Sequence, residues 1–199
     1  MSDPQIDSGK RTWIIASSCA GVVGAGFVAV PFVSSFEPSE RARAAGAAVE
    51  ADISALKPGE KMTVEWRGKP VWIIKRTPEQ LAELPKVDAL LADPKSARKP
   101  DELTPPYARN EGRSIKPEIM VAVGICSHLG CSPSDKFTPG AQPSLPDNWA
   151  GGFLCPCHGS TFDMAGRVYK NKPAPDNLEV PPHMYLSDTR ILIGEDKKA

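Results

Sequence analysis

The chain has 199 residues, with Lys+Arg and Asp+Glu equal at 24 each, so its formal net charge is zero. That length suits one anchored domain, or a domain with an inserted subdomain, and with no basic stripe in view nucleic acid is excluded as an expected partner. The 21 prolines and 16 glycines are many for a helical protein and point to turns and short strands.

Residues 1–12 are polar and end in Lys10-Arg11, and no residue from Trp13 to Phe36 is charged. A membrane-crossing helix needs about 20 such residues, whereas the apolar core of a cleaved signal usually has about 7–15. The run therefore predicts an uncleaved, single-pass transmembrane anchor over 13–36, with a signal peptide or a buried core helix as the alternatives. Lys10 and Arg11 before it, and Glu37 and Glu40 after it, place 1–12 in the cytoplasm and the body of the protein outside, although Arg41 and Arg43 weaken the contrast. Gly21, Ala25 and Ala29 recur four apart. They offer either a face for close helix approach or simple helix flexibility. Cys19, inside the run, reads as a small buried residue rather than a ligand. Residues 37–50 are small and weakly helical, with Gly46 among them, and are expected to be a flexible hinge.

From residue 51 the pattern changes to strands. Met62–Trp66, a turn at Gly68 and Pro70–Lys75 read as a hairpin. Residues 78–91 read as helical, opened by Pro78 and carrying Leu81, Leu84, Leu90 and Leu91. A polar, proline-rich loop is expected over 92–117. Ile119–Ile125 is an apolar run that fits a buried strand leading to Cys126. Residues 132–151 are expected to be a loop, Gly152–Leu154 a short strand into a second cysteine segment, and Arg190–Ile193 a closing strand.

Of the five cysteines and three histidines, four and two respectively lie between Cys126 and His158. They fall in two segments, Cys126-Ser-His128-Leu-Gly130-Cys131 and Cys155-Pro-Cys157-His158-Gly159-Ser160. Each segment has two cysteines, one histidine and a glycine that permits a tight turn. The spacing is one residue short of a c-type haem site, and no thioredoxin Cys-x-x-Cys occurs. Cys-x-His fits a zinc finger poorly. An all-cysteine cluster, or two disulfides, would leave both histidines without a role. The set that uses every residue is two cysteines on one iron, two histidines on another and a disulfide from the remaining pair, which is the ligand set of Rieske centres.

At this point the two segments resemble the cluster loops of Rieske iron–sulfur proteins of the cytochrome bc1 type, and the resemblance extends over nearly the whole chain. It implies a mainly β fold: an N-terminal transmembrane helix, then an antiparallel β Rieske head (51–199) with a base subdomain and an inserted cluster-binding subdomain at about 125–170. One [2Fe–2S] cluster per chain is implied, with Cys126, His128, Cys155 and His158 as metal ligands and Cys131 with Cys157 as a disulfide. Such a disulfide fits an oxidising compartment and would pin two loops that otherwise meet only through the cluster. Histidine in place of thiolate makes the cluster less negative and raises its potential, to about −150 to +300 mV against about −400 mV for plant-type ferredoxins. The ring nitrogen not used by iron can hold a proton. The resemblance assigns the quinol contact to His158, with His128 as the other solvent-edge ligand.

The resemblance also marks Ser160 as a hydroxyl donor to a cluster sulfur, and Phe162 as standing where high-potential relatives have tyrosine. A lower potential is therefore expected here. Lys172-Pro173-Ala174-Pro175 is similar to the proline loop that covers the cluster, with Lys172 where many relatives have glycine. Leu129 and Gly130 form the expected tip; Leu129 is read as a docking residue against the alternative of a buried leucine, because exposed apolar groups usually mark contacts. His183 reads as structural. Lys10-Arg11 resembles a twin-arginine export signal with lysine first, or is a plain basic flank.

The function implied is electron transfer from quinol to a c-type cytochrome in a respiratory quinol–cytochrome c oxidoreductase. Cytochrome b and cytochrome c1 would be partner subunits in a dimeric, membrane-embedded complex. The anchor would lie in the bacterial inner membrane with the head in the periplasm. The alternative is the small Rieske subunit of another periplasmic oxidoreductase, such as an arsenite oxidase. A zinc-binding structural module is a third reading.

Overall fold

The computed structural model describes residues 7–40, 42 and 46–196. Most of the expected N-terminal segment before Asp7, and hinge residues 41 and 43–45, lie outside them. The chain divides into two compact units, 1–44 and 45–199.

In the first unit, helix α1 spans Ser8–Ser34, about 40 Å at 1.5 Å per residue. Asp7 caps it, its carboxylate accepting from the N–H groups of Gly9 and Lys10, which satisfies two of the orphan donors of the first turn. None of its residues is buried within the protein, and Trp13, Phe27 and Val28 are each more than 70% exposed. A long apolar helix whose side chains are exposed along its length is suited to lipid. Cys19 is exposed on this helix, a departure from the expected burial.

Among its described residues the second unit holds nine strands in three antiparallel sheets. Strands β1 (Val49–Asp52), β9 (Arg190–Ile193) and β8 (His183–Ser187) form the first sheet, with β9 in the centre. Because β1 begins at Val49 and pairs with Ile193, the sheet takes in Val49 and Glu50 from the stretch expected as hinge. The hairpin of β2 (Lys61–Trp66) and β3 (Lys69–Lys75) forms as the sequence predicts, and β4 (Ile119–Val123) pairs with β3. The third sheet is β5 (Ser134–Lys136), β6 (Gly152–Leu154) and β7 (Thr161–Asp163). It falls inside the 125–170 interval.

The middle sheet separates two cores, and the two-residue period of a strand decides which side chain enters which. Val71, Ile73, Ile119, Val121 and Val123 pack with Ile191 and Ile193 of the first sheet. Trp72, Ile74, Met120 and Ala122 point the other way, to Phe153 and Phe162 of the third sheet and to Cys126 and Cys155. With both faces covered, β4 is apolar at every position, as strands buried on two sides are.

Helix α2 covers only Pro78–Glu83. Thr77 and Gln80 close a capping box at its start, and Pro85 ends it, because the residue before a proline is disfavoured in helical geometry. The expected helix over 78–91 is therefore half α-helix, followed by a 3-10 turn at Pro85–Leu90. The 92–117 loop contains a single turn of helix, α3 (Pro100–Leu103), and a 3-10 turn at Pro106–Ala108. Strand β5 lies within the stretch expected to be loop.

Candidate metal centre

The two cysteine segments fold into loops with the same hydrogen-bond pattern. In the first, Cys126 N–H donates to the Cys131 carbonyl at 2.8 Å and Gly130 N–H to the Cys126 carbonyl at 3.1 Å. In the second, Cys155 N–H donates to the Ser160 carbonyl at 2.7 Å and Gly159 N–H to the Cys155 carbonyl at 3.0 Å. Gly130 and Gly159 sit at the same place in each loop with φ of 82° and 74°, a region that costs other residues strain.

Cys126 and Cys155 open the two loops at the same position, whereas the histidines and the other two cysteines stand at different positions in each. Cys126 and Cys155 are both free thiols at 2% exposure, in the core beneath. Burial pushes the Cys126 thiol up, and the neighbouring Cys155 thiol adds to the shift. A thiol held in that state by burial gives up its proton readily only when a metal takes the charge. The His128 and His158 rings stand edge to face with centroids 4.7 Å apart. His128 is half-buried and His158 exposed. Cys131 and Cys157 form a disulfide with a Cα–Cα separation of 6.6 Å, so the loops are covalently joined. The sulfurs of Cys131, Cys155 and Cys157 lie within 4.8 Å of one another, but two of them are spent in that bond and only Cys155 is left to bind metal. The donors that remain are two thiols and two imidazoles, which fit a cluster of mixed sulfur and nitrogen ligation.

A third segment ties both loops down through serines. Ala174 N–H donates to Ser160 Oγ at 2.9 Å, and Ser127 Oγ donates to the Asp176 carbonyl at 2.6 Å. Ala174 is buried while Pro173 and Pro175 are exposed and Lys172 is half-buried, so the proline segment lies against the loops with one residue inserted. Ser160 also hydrogen-bonds toward the Cys126 sulfur and draws its pKa down against the larger effect of burial. Phe162 is wholly buried, opposite Phe153. Leu129 is 71% exposed at the first loop's tip, and Gly130 beside it is exposed as well. His183, the third histidine, is buried: its Nδ1 lies 2.8 Å from the Pro181 carbonyl, and its backbone N–H donates to the Tyr107 hydroxyl.

Three buried arginines below the site were not foreseen. Arg76 donates to the carbonyls of Gly112, Pro117 and Met164, and Arg113 to those of Ala165, Gly166 and Leu178. Arg167 meets Asp163 at 2.8 Å and Asp88 at 2.7 Å. Burial lowers both Arg76 and Arg113 to about 10. Together the three pin the long 92–117 loop and the turn after β7, the strand that leads out of the second cluster loop. The only trace in the sequence is Asp163 four residues before Arg167.

Residues 104–182 match the Rieske [2Fe-2S] domain, and residues 13–39 match the family described as ubiquitinol-cytochrome C reductase Fe-S subunit TAT signal. The second match begins after Lys10-Arg11. The chain is 57% identical over 189 residues to the ubiquinol-cytochrome c reductase iron-sulfur subunit of Allochromatium vinosum, covering 94% of this chain and 89% of that protein. To the subunit of the same name from Rhodospirillum rubrum it is 38% identical over 194 residues, covering 97% and 96%. Among solved structures it is similar to a chain of a hyperthermophilic respiratory Complex III, with 26% identity, 89% and 97% coverage and a TM-score of 0.45.

Proposed function

Because this chain belongs to the family of ubiquinol–cytochrome c reductase iron–sulfur subunits, we propose that Cys126, His128, Cys155 and His158 hold its Rieske [2Fe–2S] cluster and that His158 is the contact for quinol. The protein is the electron-transfer subunit of a quinol–cytochrome c oxidoreductase, a membrane complex in which cytochrome b and cytochrome c1 are its partners. When bound, the cluster accepts one electron at a time from quinol and passes it on to a c-type cytochrome.

One observation carries the assignment. Two loops with the same hydrogen-bond pattern present two buried free thiols and two facing imidazoles, and the other two loop cysteines are consumed by a disulfide. Each imidazole has one nitrogen for metal and one left to hold a proton. His158 is the more exposed of the pair, which supports its role in taking the quinol proton. Leu129, at the exposed tip, supplies apolar surface for docking on the quinol pocket. Lys172, Pro173, Ala174 and Pro175 cover the site, and the disulfide and the two serines keep the loops in register so that little rearrangement accompanies electron transfer. Phe162 adds no hydroxyl, which supports a potential at the lower end for this branch.

The same reading puts α1 across the bacterial inner membrane, residues 1–12 in the cytoplasm and the head in the periplasm, where a disulfide persists. Of the stretch 37–50 expected as hinge, the residues before β1, 37–48, would act as hinge between anchor and head, and two copies of the subunit would serve a dimeric complex. The test is a redox titration of the detergent-solubilised full chain followed by EPR across pH. A potential within about −150 to +300 mV that falls as pH rises is expected. A pH-independent potential near that of a plant-type ferredoxin would sink the quinol reading, and a protein with zinc and no EPR signal would sink the cofactor assignment.

A further inference from the structure

Beside the proline segment lies a concavity of about 300 Å³ lined by Ala92, Arg98, Tyr169, Lys170, Lys172 and Pro175, among others. Three of its lining residues are cations and none is a carboxylate. The Arg98 guanidinium donates to the Pro175 carbonyl at 2.9 Å, and Lys170 Nζ to the Ala89 carbonyl at 2.8 Å. Neither contact neutralises a charge. Lys172 has no hydrogen bond or ion pair among the described residues. Neighbouring carboxylates are already engaged: Asp93 accepts from the N–H groups of Ala97 and Arg98, and Asp176 pairs with Lys99 at 2.9 Å.

We propose that this pocket is an anion site that holds a phosphate or carboxylate group. Three uncompensated cations around one concavity, in a chain of zero net charge, make a local positive field that a bound anion relieves. The volume suits a phosphate or an acidic side chain and is at the small end for an organic ligand. The anion would sit against Ala174 and Pro175, the segment that Ser160 fastens to the second cluster loop. A carboxylate projecting from a partner subunit and a free anion from solution share this chemistry.

The experiment is isothermal titration of inorganic phosphate at constant ionic strength. It uses the cluster-loaded, detergent-solubilised full chain and, in parallel, the assembled complex. Lys172→Gln and Lys170→Gln should each weaken phosphate binding about tenfold, the loss of one charge-assisted contact, while Lys57→Gln, an exposed lysine elsewhere on the head, should not. Binding to the isolated chain that disappears in the complex means that a partner's acidic group fills the pocket. Binding retained in both means a free anion. No saturable phosphate binding to the isolated chain, or binding that Lys57→Gln weakens as much as Lys172→Gln, overturns the site. The EPR signal of the same samples tests the cofactor assignment separately.

Discussion

Ser160 Oγ accepts the N–H of Ala174 at 2.9 Å, with both residues buried. That bond fastens the proline segment to the second cluster loop. Ser160→Ala leaves the Ala174 N–H buried without a partner, at a cost of about 1–3 kcal/mol. The expected result is a lower denaturant midpoint with an unchanged slope. The reduction potential should fall as well, because a hydrogen bond near the cluster sulfurs is lost. A potential that stays put while stability drops would restrict Ser160 to a structural role.

The disulfide between Cys131 and Cys157 spans 26 residues of sequence. Closing a loop of that length constrains the unfolded chain by roughly 3–4 kcal/mol. Replacing both cysteines by serine should lower the unfolding free energy by about that amount and speed cluster loss on dilution. Equal cluster lifetimes in the two proteins would show that the loops hold their geometry without the bond.

Phe162 is fully buried, paired with Phe153 and bridged to Val168. Phe162→Tyr adds one donor to the wall of the site. The potential is expected to rise with no change in fold, as measured by EPR-monitored titration. An unaltered potential means the new hydroxyl donates elsewhere, and Phe162 is then packing alone.

Arg167 and Asp163 are both almost wholly buried and 2.8 Å apart. Removing one partner strands the other charge in a low-dielectric interior, so Arg167→Met should destabilise the head by about 3–5 kcal/mol. Arg167→Met combined with Asp163→Leu should recover part of that loss, because the stranded carboxylate goes too. Thermal unfolding of both variants decides the point; no recovery would mean that Asp163, which also accepts from the N–H groups of Ala165 and Arg167, matters chiefly to the turn.

His183 is held below its ordinary value of 6.5, chiefly by burial. It is therefore neutral in the folded state at pH values where the unfolded chain already binds a proton. The unfolded state then gains protons first, so this group's contribution to stability is full above 6.5 and is lost as pH falls below it. His183→Gln should flatten the stability-versus-pH curve on the acid side of 6.5. An identical slope in both proteins would rule out His183 as its source.

What was legible in the sequence was whatever depends on composition and local spacing. The uncharged run from Trp13 to Phe36 points to a lipid-suited helix because it is long enough to span and longer than the apolar core of a usual cleaved signal. The β2–β3 hairpin and β4 follow from alternation and from a run apolar at every position. Two short segments, each with two cysteines and a histidine, point to a centre of mixed sulfur and nitrogen ligation because other ligand sets leave the histidines without a role or do not fit the spacing. The tertiary structure alone decided the rest. β1, β5, β7 and β8 are short, and their pairing is set by partners distant in sequence, as Val49 is by Ile193. Spacing alone left open which cysteines are free, and the fold answers by burying Cys126 and Cys155 while bringing Cys131 to Cys157. The three arginines are polar residues whose burial is tolerable because carbonyls from remote turns meet them and, for Arg167, the carboxylates of Asp163 and Asp88 as well. No local pattern in the chain records where those carbonyls will be.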